Sequence, residues 1–417
     1  MNLSKLLLRG MRSWAALFIP IAIGLCMTPL AHAEGEAKDT VRPEVGKPLQ
    51  AAQELMKAQK YKEALVKIRE ADALPNKTEY ESFIIERIRA SAAAGAGDTD
   101  TAIKALETTI NSGRLTPADQ LKLIEALAGT AYRAKDYAKA QNWAKRYLKE
   151  GGTNSTMRSL LGQTQYLAGD YAGAIKQLNV EIAASETAGN TPEEDRLQLL
   201  ANCYLKLNDK AGYVVTLEKL VTYHPKKEYW ADLLARIQRK SGFADRLALD
   251  AYRLMLTTGN LKDTSDFVEM AQLALQAGLP AEAKRVIDEG YTKGALGTGE
   301  EARHKRLRDL ANRQAAEDQK AMAEAEKQIN AAKDGNALVA LGAAYVSTHQ
   351  FDKGIVLLEQ GIAKGNLKRA EDAKLHLGIA YLKAGHKDKA RHTLRSVQSS
   401  DGAADLARLW VILSQRS

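Results

Sequence analysis

The sequence predicts an all-helical chain built from repeated antiparallel helix pairs. Three observations lead to that fold class. One residue pattern recurs along the chain: Leu, a small residue, an aromatic three or four positions on, a Gly/Asp turn, a second aromatic, a small residue, then Leu. Period-two alternation is missing and β-branched residues are sparse, so nothing reads as strand. Pro75, Pro117, Pro192 and Pro225 stand at the ends of the repeated units, where a helix should stop or start.

The clearest copy of the pattern is Leu161-Gly162, Tyr166, Gly169-Asp170-Tyr171, Ala174 and Leu178. Others run Leu127-Ala128, Tyr132, Asp136-Tyr137, Ala140; Leu341-Gly342, Tyr345, Phe351, Gly354, Leu358; and Leu377-Gly378, Tyr381, Gly385, Ala390, Leu394. Degenerate copies include Leu200-Ala201, Tyr204, Tyr213, Leu217 and Ala271, Ala274, Gly278, Ala283, Ile287. Leu55, Tyr61, Ala64 and Ile68 mark the first. Packing explains the residue types. Gly162, Ala174, Gly342, Ala128, Ala140 and Ala390 fall where paired helices approach, and a larger side chain there would force them apart at about 1–3 kcal/mol. Tyr171, Tyr137 and Phe351 are expected in the wedge between one hairpin and the next. No hairpin buries its apolar face alone, so neighbours must stack.

These residues resemble the tetratricopeptide (TPR) consensus, whose unit is about 34 residues. The steps from Leu127 to Leu161 and from Leu341 to Leu377 are 34 and 36 residues. The resemblance covers most of residues 48–410 and implies a TPR-type α-solenoid, a right-handed superhelix of antiparallel helix pairs.

The chain has 417 residues and a formal net charge of +9. Residues 1–33 read as a signal peptide: Lys5, Arg9 and Arg12, an apolar run from Trp14 to Met27, then Ala31-His32-Ala33. Cleavage after Ala33 would leave 384 residues with 57 basic and 51 acidic, destined for the periplasm. No second apolar run follows, so no integral membrane segment is expected after cleavage. The charges are well mixed and no Lys/Arg block carries interleaved aromatics, which argues against nucleic-acid binding. Cys203 is the sole cysteine left, so stability must come from packing without a disulfide. It sits in an apolar helical pattern and reads as a small buried hydrophobe.

Residues 34–48 are polar, with two prolines, and read as a flexible lead-in. A long helical array is expected over 49–294. Residues 295–335 form a glycine-rich loop and a charged helix with a thin apolar stripe of Leu307, Leu310, Met322 and Ile329, either a degenerate repeat or a hinge. Residues 336–417 hold two good repeats and a capping helix whose Trp410 closes the last core.

Catalytic patterns are missing. Gly294-Ala-Leu-Gly-Thr-Gly299 lacks the Lys and the strand–helix setting of a phosphate loop. His386 and His392 are six apart, off-face on a helix, and no carboxylate cluster completes a metal set. Glu193-Glu194 and Glu300-Glu301 fall at helix starts, where they suit the macrodipole. No enzyme activity and no cofactor are expected. What remains is surface. On the first helix of each pair, register turns Arg133, Gln163, Tyr166, Asn202, Lys206 and Lys383 toward the concave groove, where a protein or peptide partner would lie. Asn202 with Lys206 resembles part of the carboxylate clamp of chaperone-binding TPR proteins; the rest of that clamp is missing.

Within residues 223–310, Tyr223-His-Pro-Lys-Lys-Glu-Tyr-Trp230, Met270-Ala-Gln-Leu273, Ala277-Gly-Leu-Pro-Ala-Glu-Ala283 and Gly290 resemble the periplasmic TPR proteins that accompany TonB–ExbB–ExbD systems. That resemblance implies a protein-binding accessory of envelope transport and supplies no catalytic residues. The competing expectation is an accessory of polysaccharide or peptidoglycan export. It would need groove aromatics, for which Tyr166, Tyr204 and Trp230 are the candidates.

Overall fold

The computed structural model describes residues 39–329 and 334–415. The expected signal peptide lies outside them, as do residues 34–38 and the end of the charged segment at 330–333. Among the described residues there are twenty α-helices, one short 3-10 turn and no strand. The architecture is that of an all-α, TPR-type solenoid. The chain divides into two compact units, residues 1–209 and 210–417.

The first unit holds α1 (Pro43–Lys57), α2 (Tyr61–Asp72), α3 (Glu79–Ala96), α4 (Thr99–Asn111), α5 (Pro117–Arg133), α6 (Tyr137–Lys149), α7 (Ser155–Leu167), α8 (Tyr171–Thr187) and α9 (Glu194–Lys206). Each helix packs on its sequence neighbours, so the core is a run of overlapping clusters. One is built on Val45, Ile68 and Ile85, the next on Ile110, Ile124 and Leu127.

The lead-in expected over 34–48 is partly helix. Pro43 takes the first helical position, where its missing N–H costs nothing, and Val45 and Leu49 share a face that enters the core. Glu81, fully buried, ties this start to α3. Its carboxylate accepts from the Arg42 backbone N–H, Arg42 Nε, Arg42 Nη2 and the Thr78 backbone N–H, each at 2.9 Å. The Glu81 backbone N–H donates in return to Thr78 Oγ1, which completes a capping box.

Turns inside hairpins repeat one solution: a left-handed residue, then the residue that caps the second helix. Gly169 (φ 82°) precedes Asp170, whose side chain accepts from Gly173 N. Lys135 (φ 63°) precedes Asp136, which accepts from Lys139 N. Aromatics bracket each turn, with ring centroids 5.7 Å apart for Tyr132–Tyr137 and 5.5 Å for Tyr166–Tyr171.

The second unit holds α10 (Lys210–Tyr223), α11 (Lys227–Gln238), a 3-10 turn at Asp245–Leu247, α12 (Ala248–Thr257), α13 (Thr264–Gln276), α14 (Pro280–Thr292), α15 (Glu301–Gln328), α16 (Asn336–Ser347), α17 (Phe351–Lys364), α18 (Ala370–Lys383), α19 (Lys387–Arg395) and α20 (Ala403–Ser414). The charged segment is a single long helix, α15, with His304, Ala311 and Met322 as its buried residues. It packs on α14 and α16.

The capping helix does more than close the last hairpin. Beyond α18 and α19, α20 also packs on α10 and α12, far earlier in the chain, and Trp410 is buried. Ion pairs secure that return. Arg408 Nη2 reaches Glu218 Oε1 at 3.0 Å and Lys240 Nζ reaches Asp405 Oδ2 at 2.8 Å. Arg246 grips Asp372 with Nε at 2.7 Å and Nη2 at 3.0 Å, and bonds Asp401 as well. The Ala244 backbone N–H donates to the Asp401 carbonyl at 2.9 Å.

The small residues are not equivalent. A Cβ on Gly354 would lie 2.9 Å from the Gly342 carbonyl oxygen, so α16 and α17 touch backbone to backbone. A Cβ on Gly162 would meet only the Leu178 side chain, at 3.5 Å, an ordinary contact. Gly354→Ala should therefore cost about 1–3 kcal/mol in urea unfolding. Gly162→Ala should be neutral or stabilise by up to about 1 kcal/mol, from helix propensity. Equal losses at both positions would contradict this reading of the interfaces.

Candidate functional site

Helix register alone places the six groove residues, and the structure separates them by use. In the first unit, Arg133 on α5 is exposed and bonds only Thr130 Oγ1 of its own helix, at 3.0 Å. Gln163 on α7 is half-buried and Lys206 on α9 is exposed; neither makes a hydrogen bond or ion pair among the described residues. Tyr166 retains 7% of its surface, edge-on to Tyr171, and Asn202 retains 8%. Those two give a partner little to hold. No hydrogen bond or ion pair joins any of the six to another. The groove aromatics that a glycan would need are also withdrawn. Trp230 is 3% exposed, and Tyr204 is half-buried, its hydroxyl accepting from Asn179 Nδ2 at 3.4 Å.

Lys383 belongs to the second unit and to a different environment. It lines a small hollow of about 50 Å³ with Arg253, Glu282, Arg285, His376 and apolar walls. Sequence reasoning missed Arg253, Glu282 and Arg285 because α12 and α14 carry them, far from Lys383 in the chain. Arg253 sits between two buried carboxylates: Nε donates to Glu282 Oε1 at 2.8 Å and Nη1 to Asp250 Oδ1 at 2.7 Å. His376 Nε2 lies 3.1 Å from both oxygens of Asp250. Arg285 Nη1 donates to the backbone carbonyls of Ala281, at 3.2 Å, and Ser347.

Electrostatics follow from burial. Burial alone would raise the Asp250 carboxyl, but His376 and Arg253 beside it outweigh that and hold it far below the usual carboxylate range. Glu282 is likewise pushed up by burial and brought down on balance by Arg253. Lys383 and Arg285 are both pulled down, first by burial and then by the neighbouring cations, with Glu282 opposing. Cys203 is fully buried and its thiol is pushed up to about 12 by burial, so it stays protonated and unreactive at neutral pH. Among the described residues no group of three or more His, Cys, Asp or Glu could hold a metal ion. No described helix is long and apolar enough to cross a membrane.

Residues 197–227 and 372–401 match the tetratricopeptide-repeat family model. The second match covers α18 and α19, the hairpin that carries Lys383. Those two stretches are tetratricopeptide repeats. No curated protein matches it. Solved structures similar to it include the TPR2AB-domain:pHSP90 complex of yeast Sti1, at 17% identity over 64% of this chain and 98% of that one, TM-score 0.34. A tetratricopeptide repeat protein from Parabacteroides merdae is 14% identical over 72% of this chain and 99% of that one, TM-score 0.31. The TPR domain of P58(IPK) is 15% identical over 89% and 97%, TM-score 0.22. The TPR pairing of α18 with α19 sets the register that turns Lys383 and Ile379 inward, and α12 and α14 complete the hollow from outside that hairpin.

Asp250 is the group on which the hollow's charge balance turns. Asp250→Asn should destabilise the second unit by about 3 kcal/mol, because it strips a buried partner from Arg253 and His376. The folded carboxyl is depressed, so its contribution is complete above the unfolded pKa of about 4 and fades as pH falls toward the folded value. Acid unfolding followed by circular dichroism should show a shallower loss below about pH 4 in the variant. An identical acid limb would contradict the assignment.

Proposed function

We propose that the protein is a periplasmic binding scaffold whose first unit holds a protein or peptide partner along the first helices of its repeats. One observation carries this reading. Arg133, Gln163 and Lys206 stand in register on α5, α7 and α9, and the fold uses none of them beyond one bond from Arg133 within its own helix. Polar side chains repeated on one helix face and left over from folding suit an extended ligand, which meets one or two groups per repeat. Export is supported by the basic, apolar and small-residue order of residues 1–33. A role beside a TonB-dependent transport system is supported by the sequence likeness over 223–310. Envelope transport components are the partners that follow.

Site-specific photocrosslinking tests the proposal. A crosslinker at Gln163, in cells of the native host, should give one dominant adduct. Combined Arg133→Ala, Gln163→Ala and Lys206→Ala should weaken that complex about tenfold or more while the unfolding midpoint holds. A complex of unchanged affinity in the triple variant would remove the binding face from the first unit.

A further inference from the structure

The hollow of the second unit carries positive charge that the fold leaves unneutralised. Arg253, Arg285 and Lys383 are set against Asp250 and Glu282. Both carboxylates are engaged by Arg253, and Asp250 also by His376. Arg285 and Lys383 are left with no carboxylate at ion-pair distance. The two carbonyl contacts of Arg285 use Nη1, which fixes the guanidinium and leaves Nε and Nη2 free of any protein acceptor. Lys383 Nζ makes no hydrogen bond. Its side chain remains solvent-accessible, so the hollow can be reached from outside. His349 senses the same field: its pKa is lowered by burial and then by Arg285 and Lys383, with Glu282 opposing.

Apart from Ser347, whose backbone carbonyl accepts from Arg285, the remaining walls are apolar: Leu279, Ala343, Val346, Leu358 and Ile379. A ligand that suits both surfaces has one negative charge and a short hydrocarbon end. A second charge would meet Glu282. The hollow of about 50 Å³ is too small for a polypeptide segment. We propose that this hollow binds a small monocarboxylate, its carboxylate between Arg285 and Lys383 and its alkyl end on Leu279, Val346, Leu358 and Ile379. The site is independent of the binding face in the first unit.

Calorimetric titration of the full chain with acetate, butyrate, octanoate, butyramide and chloride tests it. Butyrate should bind about tenfold more tightly than acetate, as two further buried methylenes require. Octanoate should bind more weakly than butyrate, because it overfills the space. Butyramide and chloride should give no heat. Lys383→Gln should weaken butyrate about tenfold, with urea midpoint and circular dichroism unchanged, and Lys383→Arg should restore it. If Lys383→Gln unfolds the unit, Ala343→Leu, which narrows the apolar side, should weaken butyrate more than acetate. No binding by any acid would overturn the proposal. So would affinity that ignores chain length or survives Lys383→Gln, the mark of an adventitious ion only.

Discussion

A two-helix unit of this size cannot cover its own apolar face, and the organisation of both units follows from that constraint. Each hairpin borrows its neighbour's surface. In the first unit this gives a run of overlapping clusters, from Val45 through Ile85 to Ile124 and Leu127. Small residues set how closely the helices approach. At Gly342 and Gly354 the contact is backbone on backbone, while at Gly162 there is room to spare.

The second unit answers the same constraint differently. Its last helices do not simply end in a polar cap. The last, α20, returns to α10 and α12, and ion pairs of Arg246, Lys240 and Arg408 secure the return. The face of α18 that carries His376 and Lys383 is met by α12 and α14. Charges that would otherwise be solvated are brought inside, and their ion pairs must offset the lost hydration. Arg253 meets that demand through two carboxylates.

Much of this was legible in the sequence. The Leu-small-aromatic spacing located the hairpins, and prolines marked helix ends, because both signals are local. The surroundings of Lys383 were not. Asp250 and His376 are 126 residues apart, and nothing near either one in the chain signals the other. The start of α1 at Pro43 was hidden by its prolines, which read as loop although a proline in a first turn is unstrained. The division of the chain at residue 209, rather than in the charged segment 295–335, was also hidden. A low apolar content looks like a linker, yet α15 needs only His304, Ala311 and Met322 to dock.

The second unit is closed by its own last helix, and hydrogen–deuterium exchange on the intact chain, with and without Arg246→Ala, puts that closure to the test. Amides of α20 should be protected as long as those of α12, and both should lose protection together in the variant. Fast, independent exchange in α20, with α12 unchanged by the substitution, would contradict it.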